Sequence, residues 1–410
     1  MSETVEEFRL RARPWLKDNM PPATDDPWGR RVGGRREIER DLQRRLWDGG
    51  FAGICFPAEY GGLGLSVDYQ NAFTEESAPY DMPFGFNLPT FSILAATLID
   101  MGTHEQKLRH LPAILRGEEL WVQLLSEPSG GSDLAGCLTR ADRDGDVFIL
   151  NGSKIWSSGA AESDYGMCLV RTNWDVPKHR GLTMFILKIH QPGVKVEQIR
   201  QVDGTMEFCQ EFFDDVVVPV TDVIGDIDGG WAVATQLLTH EREAVGGGSK
   251  YISGRAISHD PGDGDNTLVQ VVKELGLERD PQARQLLGES QARQLVAHAL
   301  VQRISRGVVT GQAPPTSGAI LKLFAATNQM RGMEIGVDLA GHAAAAWPVS
   351  EAKSAARVLS EMSLWRQGLS LGGGSNEMQR NIISERVLGM PREYAADRDV
   401  PYREVKRTGG

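Results

Sequence analysis

An α+β chain of several domains is what this sequence predicts, and three observations predict it. Apolar residues recur at helical spacing up to about residue 120, short strand-like runs take over across about 121–225, and helical spacing returns at Gly230. The expected layout is an N-terminal α-helical domain over 1–120, a middle antiparallel β domain over 121–228, a C-terminal helical bundle over 229–395 and a tail over 396–410. At 410 residues the chain can bury two or three cores.

In the first domain, Thr4 and Glu7 form a capping-box pattern, and Val5, Phe8, Ala12, Trp15 and Leu16 share one helix face. Pro14 inside that pattern predicts a kink or a new start. Helices are also expected at about 35–49, ended by Gly49-Gly50, within Ser92 to Met101, and from Thr103-His104-Glu105-Gln106. In the middle domain Val147 to Leu150 follows the turn Asp144-Gly145. Met167 to Arg171, Leu182 to Ile189, Val194 to Ile199 and Phe212 to Val218 come next, before Pro219. Strands this closely spaced, parted by Gly, Pro and Asp, indicate an antiparallel sandwich or barrel rather than βαβ units. One long helix then carries Trp231, Ala234, Leu237, Leu238 and Arg242 to Ala244, up to Gly246-Gly247-Gly248. Residues 258–266 read as a flexible loop, and helical patterns follow at about 280–307, 316–338 and 350–366 and from Asn376. No internal repeat is present.

The net charge of −11 argues against nucleic-acid binding, which needs a concentrated basic face. Four scattered cysteines without CxxC spacing read as buried thiols in a reducing compartment, not a zinc site. The acidic start does not read as a signal peptide, and no run of 18 apolar residues exists to span a membrane. A cytoplasmic protein is expected.

The most informative segment runs from Leu124 through Ser126-Glu127-Pro128-Ser129-Gly130-Gly131-Ser132-Asp133 to Gly136. Hydroxyls flank a Pro-to-Gly turn whose glycines let backbone N–H groups approach a ligand. By composition alone it fits either a loop for a flat or phosphate-bearing group or an ordinary surface turn. With the segments quoted below, it resembles the flavin-binding signature of the acyl-CoA dehydrogenase family, (S/T)-E-x-x-x-G-(S/T)-D-x-x-G. Lys154-Ile155-Trp156-Ser157-Ser158 resembles that family's second flavin segment, K-x-W-x-(S/T). Gly102 to Gly117-Glu118, Phe212-Phe213-Asp214-Asp215-Val216 to Pro219, and Gly374 to Arg380 with Glu385 to Pro391 resemble further family blocks.

The resemblance implies the family's three-domain fold, FAD as cofactor and α,β-dehydrogenation of an acyl-CoA to a 2-enoyl-CoA, with an electron-transferring flavoprotein as reoxidant. It implies that Trp156 stacks on the isoalloxazine, Ser158 reaches its reactive edge and Ser126 its pyrimidine end. Leu124, Gly131, Ser132, Ser375 and Glu377 are the other cofactor contacts it implies. Ser132 and Arg242 lie near the acyl-CoA, and the backbone N–H of Gly373 meets the thioester oxygen.

The sequence departs from the pattern where the family's commonest base stands, because Gly373 replaces that glutamate and Gly372 the aromatic before it. A minority of the family place the base on the long helix just before an arginine, and Glu241-Arg242 matches. Glu241 is therefore the expected base; the alternative is a helix-surface glutamate paired with Arg242 or a neighbour. Two small residues at 372–373 leave space for a bulky or branched acyl chain, such as a sterol side chain. No R-x-x-F-G occurs around 255–285, and Asp338-Leu339-Ala340-Gly341-His342 replaces the Q-x-x-G-G-x-G loop. Both missing groups are ones that a subunit lends to its neighbour. A hetero-oligomer of the tetramer class, completed by a homologous second subunit, is expected, with a homo-oligomer as alternative. Rival readings are a noncatalytic subunit, a flavin oxidase or an acyl-carrier-protein dehydrogenase.

Other signals carry less. His240-Glu241-Arg242-Glu243-Ala244 lacks the second histidine of HExxH, and Gly62-Leu63-Gly64 lacks a dinucleotide context. His104 and His110 are expected on a solvated helix surface. Asp214-Asp215 and Asp226/Asp228 are expected at turns, serving capping and solubility.

Overall fold

The structure, a computed structural model, describes residues 3–23, 35–245, 249–251, 266–345 and 354–405. It divides into two compact units, residues 1–256 with 395–410, and residues 257–394. The Gly246–Gly248 break, the expected loop over 258–265 and residues 350–353 lie outside the described residues.

The first unit begins with helices α1 (Val5–Asn19), α2 (Arg35–Asp48) and α3 (Val67–Ser77). A continuous stretch follows, α4 (Phe84–Pro89), a π turn (Thr90–Ala95) and α5 (Ala96–Met101), then α6 (His104–Leu115). The Thr4/Glu7 capping box forms, and Phe8, Ala12 and Leu16 are buried with Leu42, Leu46 and Phe73. Pro14 neither breaks nor restarts α1. Pro14 offers no N–H to the Leu10 carbonyl one turn back, and Leu10 lies on the exposed side of the helix. Helix α3 has no expectation behind it, because its inward face mixes Ala72 and Phe73 with Gln70 and Ser77 and so shows little apolar period.

His110 overturns the solvated reading. It is fully buried, its Nδ1 lies 2.8 Å from Glu119 Oε2, and its ring meets Trp121 and Tyr165 edge-on. The reason is register: residues 110, 111 and 114 lie one face apart on α6 and all point inward.

The β region comprises β1 (Trp121–Leu124), β2 (Arg140–Asp144), β3 (Val147–Ser158) and β4 (Tyr165–Arg171). It continues with β5 (Leu182–Lys188), β6 (Val194–Gln198), β7 (Phe208–Pro219) and β8 (Val223–Ile224). All join one sheet in the order β6-β7-β3-β2-β4-β5-β8, with β1 beside β4. Most ladders are antiparallel as expected, but β1 runs parallel to β4 and Arg140 pairs in parallel with Arg171, so the sheet is mixed. Strands β4 and β5 are apolar on both faces because both are covered. Met167, Leu169, Met184 and Ile186 pack with helical residues, whereas Cys168, Val170, Phe185 and Leu187 meet Phe148, Phe213 and Val216 inside the curled sheet. Asp214 and Asp215 lie within β7, not at a turn, and Asp215 takes a positive φ where it bonds Asn151. Asp228, also at positive φ, accepts from Thr172 and Asn173, so it ties a turn to the sheet instead of merely solvating it.

Helix α7 (Gly230–Val245) follows the sheet in the first unit. A Cβ at Gly230 would lie 2.6 Å from the Thr183 backbone, so only glycine lets α7 start against β5. Val233, Ala234 and Leu237 are fully buried there.

The second unit is helical: α8 (Asn266–Glu274), α9 (Pro281–Val309), α10 (Gly318–Ala340), α11 (Ala355–Leu371) and α12 (Asn376–Ile382). Asn266, expected in a loop, instead opens α8, whose Leu268, Val271 and Val272 pack on Ile335, Leu339 and Leu359.

Candidate functional site

Both chemistry-bearing segments of the first unit converge through a buried ion pair. Glu127 Oε1 lies 2.8 Å from Lys154 Nζ, with Glu127 6% exposed and Lys154 0%. Glu127 also accepts from the backbone N–H groups of Leu138 (2.6 Å) and Thr139 (2.9 Å), and Lys154 donates to the Leu125 carbonyl. Ile155 N–H donates to Ser126 O at 2.9 Å, which joins the segments a second time. Burial works against the Glu127 anion, but Lys154 and the hydrogen bonds prevail and hold its pKa down at about 2. Burial likewise opposes the Lys154 ammonium, which nearby Cys137 and Glu127 keep above the usual lysine range. Cys137, 3.4 Å from that nitrogen, is pushed up to about 11 by burial and stays a thiol. Glu127 and Lys154 stand inside the quoted motifs, but nothing in the sequence announced that they pair.

Lys154 to Ser158 forms the end of β3. A bulge between Ile155 and Ser157 puts Trp156 at φ 66, a backbone region that costs a non-glycine residue about 1–2 kcal/mol. The bulge turns the indole outward, 55% exposed, with Phe208 edge-on at 5.9 Å. The indole thus presents an exposed, flat apolar face. Ser158 is exposed beside it, and Ser157 points inward, donating to Glu211 Oε2 at 2.9 Å. Glu211 is fully buried, its Oε1 lacks a hydrogen-bond partner, and burial pushes its pKa up to about 7.

In the other segment, Glu127 and Gly130 exchange backbone hydrogen bonds across a tight turn. Ser126 is half-buried, and Gly131 and Ser132 are exposed. A Cβ on Gly131 would meet Ser126 Oγ at 3.4 Å, an ordinary contact, so Gly131 lies beside that hydroxyl. The Leu124 side chain is buried in the sheet core, so only its backbone can meet a ligand. These residues fit a flavin: an outward aromatic face at Trp156, with hydroxyls at Ser126 and Ser158.

Glu241 falls on the inward stripe of α7 with Ala234, Leu237 and Ala244, and it is half-buried. Its neighbour Arg242 donates to Thr239 Oγ1 at 2.9 Å, and burial lowers its pKa. His240 Nε2 lies 2.8 Å from Asp100 Oδ2.

In the second unit, Gly373 and Gly374 have φ of 67° and 85°. Gln379 Nε2 donates to both of their carbonyls at 3.2 Å. Ser375 caps α12 by accepting from Met378 N–H, and Glu377 is exposed with Arg380 3.3 Å away. Asp338 to His342 forms the end of α10 and a following short turn, with Leu339 and Ala340 in the core. No group of three metal-ligating side chains exists among the described residues.

Residues 2–118, 123–216 and 228–388 match the acyl-CoA dehydrogenase N-terminal, middle and C-terminal domains. This chain belongs to the acyl-CoA dehydrogenase family. The acyl-CoA dehydrogenase IpdE1 of Mycobacterium tuberculosis is 35% identical over 397 residues, which is 95% of this chain and 99% of that protein. Among solved structures, the Tcur3481-Tcur3483 steroid ACAD matches with a TM-score of 0.77 at 28% identity, across 96% of this chain and 100% of that one. The ChsE4-ChsE5 complex from Mycobacterium tuberculosis matches with a TM-score of 0.71 at 28% identity, across 96% and 99%. The family is one of flavoprotein oxidoreductases, and no described helix of this acyl-CoA dehydrogenase is long and apolar enough to cross a membrane.

Proposed function

We propose that this chain catalyses FAD-dependent α,β-dehydrogenation of a bulky acyl-CoA, such as one bearing a sterol side chain, with Glu241 as the base. The observation that carries the reading is the outward Trp156 on one of two hydroxyl-bearing segments joined by the buried Glu127–Lys154 pair. When bound, FAD supplies the hydride acceptor that no side chain provides. Trp156 covers one face of the ring, while Ser158 and Ser126 bond its edges. Leu124 and Gly131 offer backbone contacts, with Ser375 and Glu377 as the further cofactor residues. Glu241 takes the α proton. The Gly373 N–H stabilises the charge that develops on the thioester oxygen, and Ser132 and Arg242 border the substrate.

A bulky substrate is favoured by the two glycines at 372–373 and by the steroid ACAD among the related structures. The reading extends to a cytoplasmic hetero-oligomer in which a homologous subunit supplies the missing arginine, with an electron-transferring flavoprotein as the reoxidant. Two related structures named for paired chains support that assembly. Gly373 in place of the usual carboxylate favours a second reading, a noncatalytic subunit.

The test is Glu241→Gln in the purified flavin-loaded complex, assayed with octanoyl-CoA, isovaleryl-CoA and cyclohexanecarboxyl-CoA. A fall of about 10²–10⁴ in kcat with FAD retained is expected. Undiminished turnover would leave the noncatalytic reading. A higher kcat/KM for octanoyl-CoA than for the other two would sink the bulky-substrate assignment.

A further inference from the structure

The C-terminal tail, residues 395–410, belongs to the first unit although the whole second unit precedes it in the chain. It docks beside the loop that carries Ser132. Pro401 forms an antiparallel bridge with Pro177, Tyr402 N–H donates to the Val176 carbonyl at 2.9 Å, and Arg403 N–H to the Trp174 carbonyl at 3.0 Å. Tyr402 is 5% exposed and stacks on Trp174, with ring centroids 5.7 Å apart. The Arg171 guanidinium sits 3.8 Å from the Tyr402 ring centroid.

From that cluster, two side chains reach the end of the signature segment. Tyr402 Oη donates to the Gly136 carbonyl at 2.6 Å. Arg171, itself fully buried, donates to the Ala135 carbonyl at 2.6 Å and the Cys137 carbonyl at 3.1 Å. Three successive carbonyls are therefore pinned from one side. Asp133, one residue past Ser132, is held by Lys178 Nζ at 2.8 Å. A Cβ on Gly136 would fall 2.8 Å from Asp133 Oδ2 and 3.6 Å from Tyr402 Oη, so Gly136 lies between these two groups. The Ser126 end of the segment has its own anchor in the Glu127–Lys154 pair. Glu127 also takes the Leu138 and Thr139 N–H groups and so braces both ends, whereas the Tyr402 hydroxyl bonds only the Gly136 carbonyl and can be removed on its own.

We propose that Tyr402 is a positioning residue for acyl-CoA: its hydroxyl, delivered by the tail, fixes residues 135–137 and with them the orientation of Ser132 and Asp133. The inference rests on the dehydrogenase reading above, in which Ser132 borders the substrate. It assigns the tail a part in substrate binding and leaves flavin binding to the other anchor.

The test is Tyr402→Phe in the flavin-loaded complex, since phenylalanine keeps the stacking and removes only the hydroxyl. With cyclohexanecarboxyl-CoA as the probe, KM rises roughly five-fold, the equivalent of one hydrogen bond, while kcat stays within about two-fold. FAD content is unchanged, and backbone amide exchange over 132–138 quickens without change across β4 and β5. Unchanged KM and unchanged exchange in a complex whose wild type is active overturn this inference alone. Parallel loss of kcat, FAD and thermal midpoint also overturns it, by making Tyr402 a general stabiliser. A wild-type complex that binds no FAD and turns over no acyl-CoA overturns the dehydrogenase reading, and the inference with it.

Discussion

The two glycine-rich segments, 126–137 in the first unit and 372–379 in the second, are held in opposite ways. The first depends on distant partners: Lys154 reaches Glu127 across 27 residues, and Tyr402 reaches Gly136 across 266. The second depends on its own neighbourhood, where Gln379 bonds the Gly373 carbonyl six residues away and Ser375 caps the next helix. One segment is therefore as rigid as the core around it, while the other is as rigid as a local turn. The difference suits their proposed tasks, since a flavin edge needs several groups in fixed relation and an oxyanion contact needs one N–H.

The sharpest way to break the contrast is Lys154→Met, which leaves the Glu127 carboxylate buried without its cation. A loss of about 3–5 kcal/mol, with flavin released, is expected in chemical denaturation and visible absorbance. Adding Glu127→Gln should restore part of that stability, because the unpaired charge is gone. If Lys154→Met retains both stability and flavin, the segment does not depend on its distant anchor.

Glu211, beneath the Trp156 bulge, offers the next effect. Its folded pKa of about 7 lies above its ordinary 4.5, so the folded state holds a proton that the unfolded chain releases. That contribution is complete below about pH 4.5 and is lost as pH rises through 7, on the order of 3 kcal/mol. Thermal midpoints taken from pH 5 to 8 at fixed protein concentration should fall, and Glu211→Gln should flatten that fall. Equal slopes for the two proteins would remove Glu211 from the account.

Gln379→Ala tests the local arrangement. It should cost only about 1–2 kcal/mol while FAD content and KM hold and kcat declines, if Gly373 serves the transition state. Trp156→Gly has the smallest expected effect on stability, within about 1 kcal/mol, because relief of the positive φ offsets the lost packing. Flavin retention should nonetheless drop, visible as a paler protein after desalting.

Much of the fold was legible along the chain. The Thr4/Glu7 box, the both-face apolar strands β4 and β5, and the inward stripe of α7 all follow from spacing over a few residues. The motif residues Ser126, Ser132, Trp156 and Ser158 could be singled out because their chemistry and spacing are local. His110 could not be placed, since one residue of register decides whether a helix side chain meets water or Trp121. The parallel pairing of β1 with β4, the outward turn of Trp156 and the docking of Tyr402 were equally hidden.

By itself, then, the sequence determined the helix-sheet-helix succession and the family and singled out candidate site residues, because periodicity, capping and motif spacing act over short distances. The tertiary structure alone decided that Glu127 and Lys154 share a buried charge, that Glu211 keeps its proton to about pH 7, and that the tail holds Gly136. Those outcomes depend on dielectric surroundings and on contacts between residues far apart in the chain, and neither is written in any short stretch of it.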